Sequence, residues 1–248
     1  MARKEFSYAE VRTDAQRRVA AEHIDHHREI WGAYGSDLST YNLTFFGVLN
    51  GTPLEDLIST KEQPLVVDLM APSGTLAELF RILPQQKKRG ICVSLVDQRI
   101  SFERERDEVL GIKQLKGDLT ERKTWEILEG EMKGQKADLI IERGLGGVDY
   151  LPNHGRFYGP ALQRVWKMTS KNYGTILLDS PSDLVLGRVG YSKKGWVDLL
   201  EKQGIEAKSE NDRSTIRIVK KPNSPEKLPF IEPSFKEKET IFGKLLKR

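Results

Sequence analysis

The 248-residue chain carries 40 Lys and Arg against 36 Asp and Glu, and 38% of its residues are hydrophobic, the composition of a globular protein with a buried core. No apolar run approaches the ~20 residues of a membrane-spanning helix, and MARKEFSYAEVRTD at the amino terminus lacks the apolar centre of a secretory signal. One cysteine, Cys92, excludes an intrachain disulfide and a cysteine-based zinc cluster, so a cytoplasmic protein that does not enter the membrane is expected.

The net charge of +4 is not spread evenly. Residues 220–248 hold eight Lys and Arg against four Asp and Glu, a surplus of four that accounts for the whole, so residues 1–219 are formally neutral. Three segments follow: an N-terminal helical cap (1–60), a central domain (61–221) and a basic, proline-containing extended tail (222–248). The plain reading of the tail is a solvated segment. The alternative is contact with nucleic acid, an acidic partner or another subunit.

In the cap, Val19, His23, His26, His27, Ile30, Trp31 and Tyr34 recur at steps of three and four, one face of a helix. His23 and His27 have a spacing compatible with metal ligation, but no full ligand set accompanies them. Packing against the domain or lining a cleft are the other readings, and no metal site is assigned. Asn50-Gly51 signals a turn, and Pro53 suits a helix start.

From residue 64 strands and helices alternate. PLVVDL (64–69) is continuously apolar, as a strand covered on both faces requires. Leu76, Leu79, Phe80 and Leu83 then mark an amphipathic helix. GICVSLVD (90–97) is a second buried strand in which Cys92 reads as a core thiol. A polar helix (100–110) leads to a weaker strand, IKQLKGD (112–118), then to a helix through Trp125, Leu128 and Met132, and to ADLIIER (137–143). A further helix carries Leu162, Val165, Trp166 and Thr169, with Gly174 as its terminator. TILLDS (175–180) is the fifth strand. A helix around Trp196, Leu199 and Leu200 is closed by Gly204. IEAKSEN (205–211) and STIRIVKK (214–221) are too close for a crossover, so the last strand must run antiparallel. The expected fold is an α/β three-layer sandwich with a mostly parallel seven-stranded sheet, its last strand antiparallel.

VVDLMAPSGTLAEL (66–79) is the informative stretch: strand, tight turn, helix. With the terminal hairpin, it resembles the class I S-adenosylmethionine-dependent methyltransferase family over residues 60–221. That family's first strand ends in an acid followed by a turn with three alternating glycines. Asp68 and Gly74 match the first and last positions, while Met70 and Pro72 replace the other two glycines. The resemblance implies S-adenosylmethionine as cofactor, held by Asp68, Met70, Ala71, Ser73 and Gly74. It implies that Asp97, with Gln98 beside it, accepts the ribose hydroxyls, although a strand-end aspartate also caps helices. Asp118 and Leu119 would stand near the adenine, with an N-cap role for Asp118, completed by Glu121, equally open. Glu142 and Arg143 would face the methyl acceptor. No catalytic residue and no acceptor class follow from the sequence. The rival readings are an inactive methyltransferase-like scaffold, favoured by Met70 and Pro72, and a nicotinamide oxidoreductase, disfavoured by the missing Gly-x-Gly-x-x-Gly.

Overall fold

The computed structural model describes residues 37–69, 71–84, 87–94, 97, 99–117, 119, 122–142, 155–179, 193–210 and 215–229. Seven strands form one sheet: β1 (Leu65–Leu69), β2 (Arg89–Ser94), β3 (Ile112–Lys116), β4 (Leu139–Glu142), β5 (Gly174–Leu178), β6 (Glu206–Ser209) and β7 (Ile216–Lys220). Their order across the sheet is β3-β2-β1-β4-β5-β7-β6. β1 to β5 are mutually parallel, and β7 runs antiparallel to both β5 and β6. Six α-helices accompany them among the described residues: α1 (Leu38–Phe45), α2 (Gly74–Ile82), α3 (Ser101–Val109), α4 (Arg122–Glu131), α5 (Gly155–Met168) and α6 (Lys193–Lys202).

The alternation of side chains along the strands builds a core on each face of the sheet. Leu65, Val67, Leu69, Val93, Ile140 and Ile176 pack with Trp125, Leu128, Trp166, Trp196 and Leu200 of α4, α5 and α6. Val66, Cys92, Leu139, Ile141 and Leu177 pack on the other face with Tyr41 and Phe45 of α1 and Leu76, Leu79 and Phe80 of α2. The central strands β1, β4 and β5 are buried along their whole length, which is why they read as unbroken apolar runs. β3 alternates because it is an edge strand with only one neighbour.

One sequence expectation shifts. Gly174 does not terminate α5: the helix ends at Met168, and Gly174 opens β5. It is glycine because a Cβ there would come within 2.6 Å of the Ser170 carbonyl oxygen; the left-handed turn position is taken by Tyr173 (φ 58°) instead. β6 is described to Ser209 and β7 from Ile216, and residues 211–214, on which the expected short hairpin connection falls, lie outside the described residues. Gly204 does close α6, at φ 76°, and Asn50 and Gly51 both take positive φ after α1.

The first residues of the expected tail pack on the domain. Trp166 Nε1 donates to the Pro225 carbonyl (3.0 Å) and Trp196 Nε1 to that of Pro229 (3.2 Å). Gln163 exchanges two hydrogen bonds with the Leu228 backbone, and the Leu228 side chain is buried. The two indole N–H groups, which need partners once buried, thus fasten residues 225–229 across α5 and α6. Among the described residues no helix is long and apolar enough to cross a membrane.

Candidate functional site

In an open parallel sheet ligands bind beyond the carboxyl ends of the strands, where connections diverge to opposite sides. That point lies between β1 and β4, adjacent in the sheet but far apart in sequence. Asp68, Leu69, Ser94 and Glu142 stand at those strand ends, with Leu69 in register with both Val93 and Glu142.

The turn after β1 is built from both flanks. Ala71 N donates to the Val93 carbonyl (3.1 Å), continuing the pairing of β1 with β2 past the end of the strand. Gln114 Nε2 reaches Ser94 Oγ at 2.7 Å from β3. α2 begins at Gly74, with its first turn closed by Ala77 N on the Ser73 carbonyl (2.9 Å). Ser73 stands at the cap position, yet its hydroxyl does not cap the helix; it accepts from Arg106 Nη2 at 3.2 Å. With the Ala71 N–H already used and Pro72 carrying none, the anion-favouring end of this turn is the N-terminus of α2 itself. Asp68 is wholly buried and accepts from the Tyr41 hydroxyl at 2.9 Å, which ties α1 to the end of β1.

A chain of alternating charges connects this turn to the loop after β2. Asp97 Oδ1 accepts from Arg99 N (3.2 Å) and Nε (2.9 Å), and Oδ2 accepts from Arg99 Nη2 (2.9 Å). The third guanidinium nitrogen, Arg99 Nη1, donates to Asp107 Oδ2 (2.9 Å). Asp107 Oδ1 accepts from Arg106 Nε (2.9 Å) and Nη2 (2.7 Å), and that Nη2 also reaches Ser73. Asp107 is fully buried and both arginines are mostly so. Hydrogen bonding from Arg99 holds the Asp97 carboxyl below the ordinary carboxylate range and in turn raises the Arg99 guanidinium. Burial pushes the Cys92 thiol well up, with the charges of Asp68 and Asp107 adding to it, so Cys92 is a core thiol and no nucleophile.

The structure brings Asp68, Ala71, Ser73, Gly74 and Asp97 to one end of the sheet, with Ser73 and Asp97 joined through Arg106, Asp107 and Arg99. Leu119 lies in the core beside Leu115 and Leu128, and its carbonyl accepts from Trp125 Nε1 at 2.7 Å. Glu142 ends β4, buried and in register with Leu69 and Leu178. Met70, Gln98, Asp118 and Arg143 lie outside the described residues, as do His23, His27 and His154. Sequence reasoning missed Tyr41, Arg99, Arg106 and Asp107. Tyr41 and Phe45 at i and i+4 gave a signal for a buried helix face; Arg106 and Asp107 gave none, because a helix reading SFERERDEV looks solvated throughout, and Arg99 just before that helix has no pattern to mark it.

The strand order β3-β2-β1-β4-β5-β7-β6 with an antiparallel β7 is the mostly parallel seven-stranded arrangement that the resemblance to class I methyltransferases implies. Neither a protein-family model nor a curated protein sequence matches the chain. Among solved structures it is similar to an O-methyltransferase from Bacillus cereus in complex with SAH (13% identity, TM-score 0.48, 85% of this chain and 93% of that one). It is also similar to a methyltransferase from Geobacter sulfurreducens (13%, TM-score 0.48, 84% and 89%). For the MycE methyltransferase of mycinamycin biosynthesis the values are 12%, TM-score 0.46, and 76% and 49%, so the chain spans about half the length of that protein. These likenesses are remote and concern the fold alone.

Proposed function

We infer that this chain binds S-adenosylmethionine at the carboxyl ends of β1 and β2 and transfers its methyl group to an acceptor on the β4 side of the cleft. The observation that carries the reading is the convergence of the α2 N-terminus, the 71–74 turn and Asp97 at one end of a sheet with this strand order. In this reading the α2 N-terminus faces the cofactor carboxylate, and Asp68 supports the turn from below, oriented by Tyr41. Asp97 accepts from the ribose. Leu119, with Asp118, borders the adenine, and Glu142 and Arg143 border the acceptor. The bound cofactor would supply a methyl group already activated by its sulfonium, so the protein's work is to hold donor and acceptor in line and exclude water.

A second reading has one observation in its favour. The turn has spent the Ala71 N–H on Val93, and Pro72 offers none, so it presents fewer donors than a glycine-rich loop would. A non-catalytic binding module on the same fold would tolerate that loss.

Calorimetric titration of the purified chain with S-adenosylmethionine and S-adenosylhomocysteine, with NAD as control, separates the two. The methyl-transfer reading expects micromolar binding of the first pair and none of NAD. Absence of heat and of thermal stabilisation at millimolar ligand would sink it and favour the binding module. A nucleic acid or acidic partner for the basic tail is tested by salt-dependent binding that disappears on truncation after Pro229, which leaves the packed residues 225–229 in place.

A further inference from the structure

An aspartate at the end of the second strand can hold a ribose through both carboxylate oxygens only if each has a lone pair to give. A carboxylate offers about four such positions, two per oxygen. Here Oδ1 is filled twice, by Arg99 N and Arg99 Nε, and Oδ2 once, by Arg99 Nη2. Arg99 is not free to turn away, because Asp107 Oδ2 holds its remaining nitrogen at 2.9 Å. Asp107 is in turn held by Arg106, which touches the 71–74 turn through Ser73. The other cation near Asp97 among the described residues, Arg104, lies 3.9 Å from Oδ2, is mostly exposed and forms no close hydrogen bond there. About a quarter of the Asp97 side chain remains accessible.

Building on the cofactor reading above, we propose that Arg99 is a specificity-determining positioning residue: by filling Oδ1 it leaves Asp97 a single acceptor, at Oδ2, so that the site engages one ribose hydroxyl and not both. Asp107 acts one step further back, keeping Arg99 in that grip. The consequence is a cofactor site tolerant of change at one of the two hydroxyls, where an unencumbered carboxylate would read both.

The test compares binding of S-adenosylhomocysteine with that of its 2′-deoxy and 3′-deoxy analogues, by calorimetry, on the full chain and on Arg99→Ala. In the unaltered protein one analogue should lose about 10- to 100-fold in affinity, the range of a hydrogen bond to a charged group, and the other should stay within about threefold. Arg99→Ala frees Oδ1, so the tolerated analogue should become discriminated against as well. A merely structural role for Arg99 would weaken all three ligands by the same factor, and that result overturns the proposal. Equal losses for both analogues in the unaltered protein overturn it too, and that comparison does not depend on the variant folding. If S-adenosylhomocysteine itself does not bind, the cofactor reading has failed, and this inference with it. If it binds and neither hydroxyl matters, the cofactor reading stands and the inference alone is wrong.

Discussion

Replacing Asp107 by alanine should destabilise the protein by about 3–5 kcal/mol, the cost of removing one partner from a buried ion-pair network. The carboxylate is fully buried and accepts three hydrogen bonds from two guanidiniums at 2.7–2.9 Å. Charge-assisted bonds are worth roughly 1.5–3 kcal/mol each, which would sum to about 5–9 kcal/mol if they were independent. They are not independent, since they share one carboxylate. Arg99 and Arg106 are also 15% exposed, so part of their charge can be rehydrated once Asp107 is gone. Those two corrections bring the figure down to the range given. For a chain of this length each kcal/mol moves the midpoint by roughly 2–4 °C, so Tm should fall by about 10 °C. Urea unfolding followed by circular dichroism, with thermal melts alongside, measures both. A loss under about 1 kcal/mol would mean that the chain of charges behaves as a solvated surface arrangement, and the structural case for a fixed Asp97 would go with it.

Four other perturbations bear on the same structure. Tyr41→Phe removes the hydroxyl donated to buried Asp68 and should cost about 1.5–3 kcal/mol in urea unfolding; a neutral effect would argue that α1 does not support the end of β1 through this bond. Gly174→Ala would push a methyl group to within 2.6–2.9 Å of the Ser170 backbone and Thr169, and a loss of roughly 1–3 kcal/mol is expected, against almost none at Gly130, where a Cβ meets nothing. Leu228→Ala should cost about 2–3 kcal/mol if residues 225–229 are part of the folded domain, and leave Tm unchanged if they are a solvated tail. Asp97 has a folded-state pKa held below its unfolded value by Arg99, so its stabilisation is present above the ordinary carboxylate pKa and fades as pH falls through the lower, folded value. Arg99→Ala should therefore lose less stability than the unaltered protein over that acidic window, a difference that melts taken between about pH 5 and pH 2 would show. A gap between the two proteins that stays constant over that range would contradict the assignment.

Most of the architecture was legible because its signals are local and physical. LVVDL, LIIE and TILL had to be buried on both faces to make sense, and that alone implies a parallel sheet covered by helices. The short connection before STIRIVKK forced an antiparallel final strand, the feature that sets this strand order apart. Gly174 was misread because a glycine that follows a helix usually ends it, whereas here it admits the close approach of the Ser170 backbone to β5. The site was legible only in part. As candidates, Asp68 near the end of β1, Gly74 at the start of α2 and Asp97 beyond β2 follow from their positions in the sequence. The partners that decide how those residues behave are Tyr41 of α1, distant in sequence, Arg99 just before α3, and Arg106 and Asp107, hidden in a run of charges. Nothing in SFERERDEV distinguishes Asp107 from its neighbours, because which carboxylate of a charged helix turns inward depends on how the helix lies against β3 and the turn.

The central claim is one of location, and nitrogen-15 labelled protein titrated with S-adenosylhomocysteine tests it most directly. Saturable shifts confined to the amides of Ala71, Gly74, Thr75, Ser94 and Asp97, with Gly134 and Gly204 unmoved, are the predicted result. Shifts that saturate elsewhere on the sheet, or none at millimolar ligand, would contradict a cofactor cleft at the ends of β1 and β2.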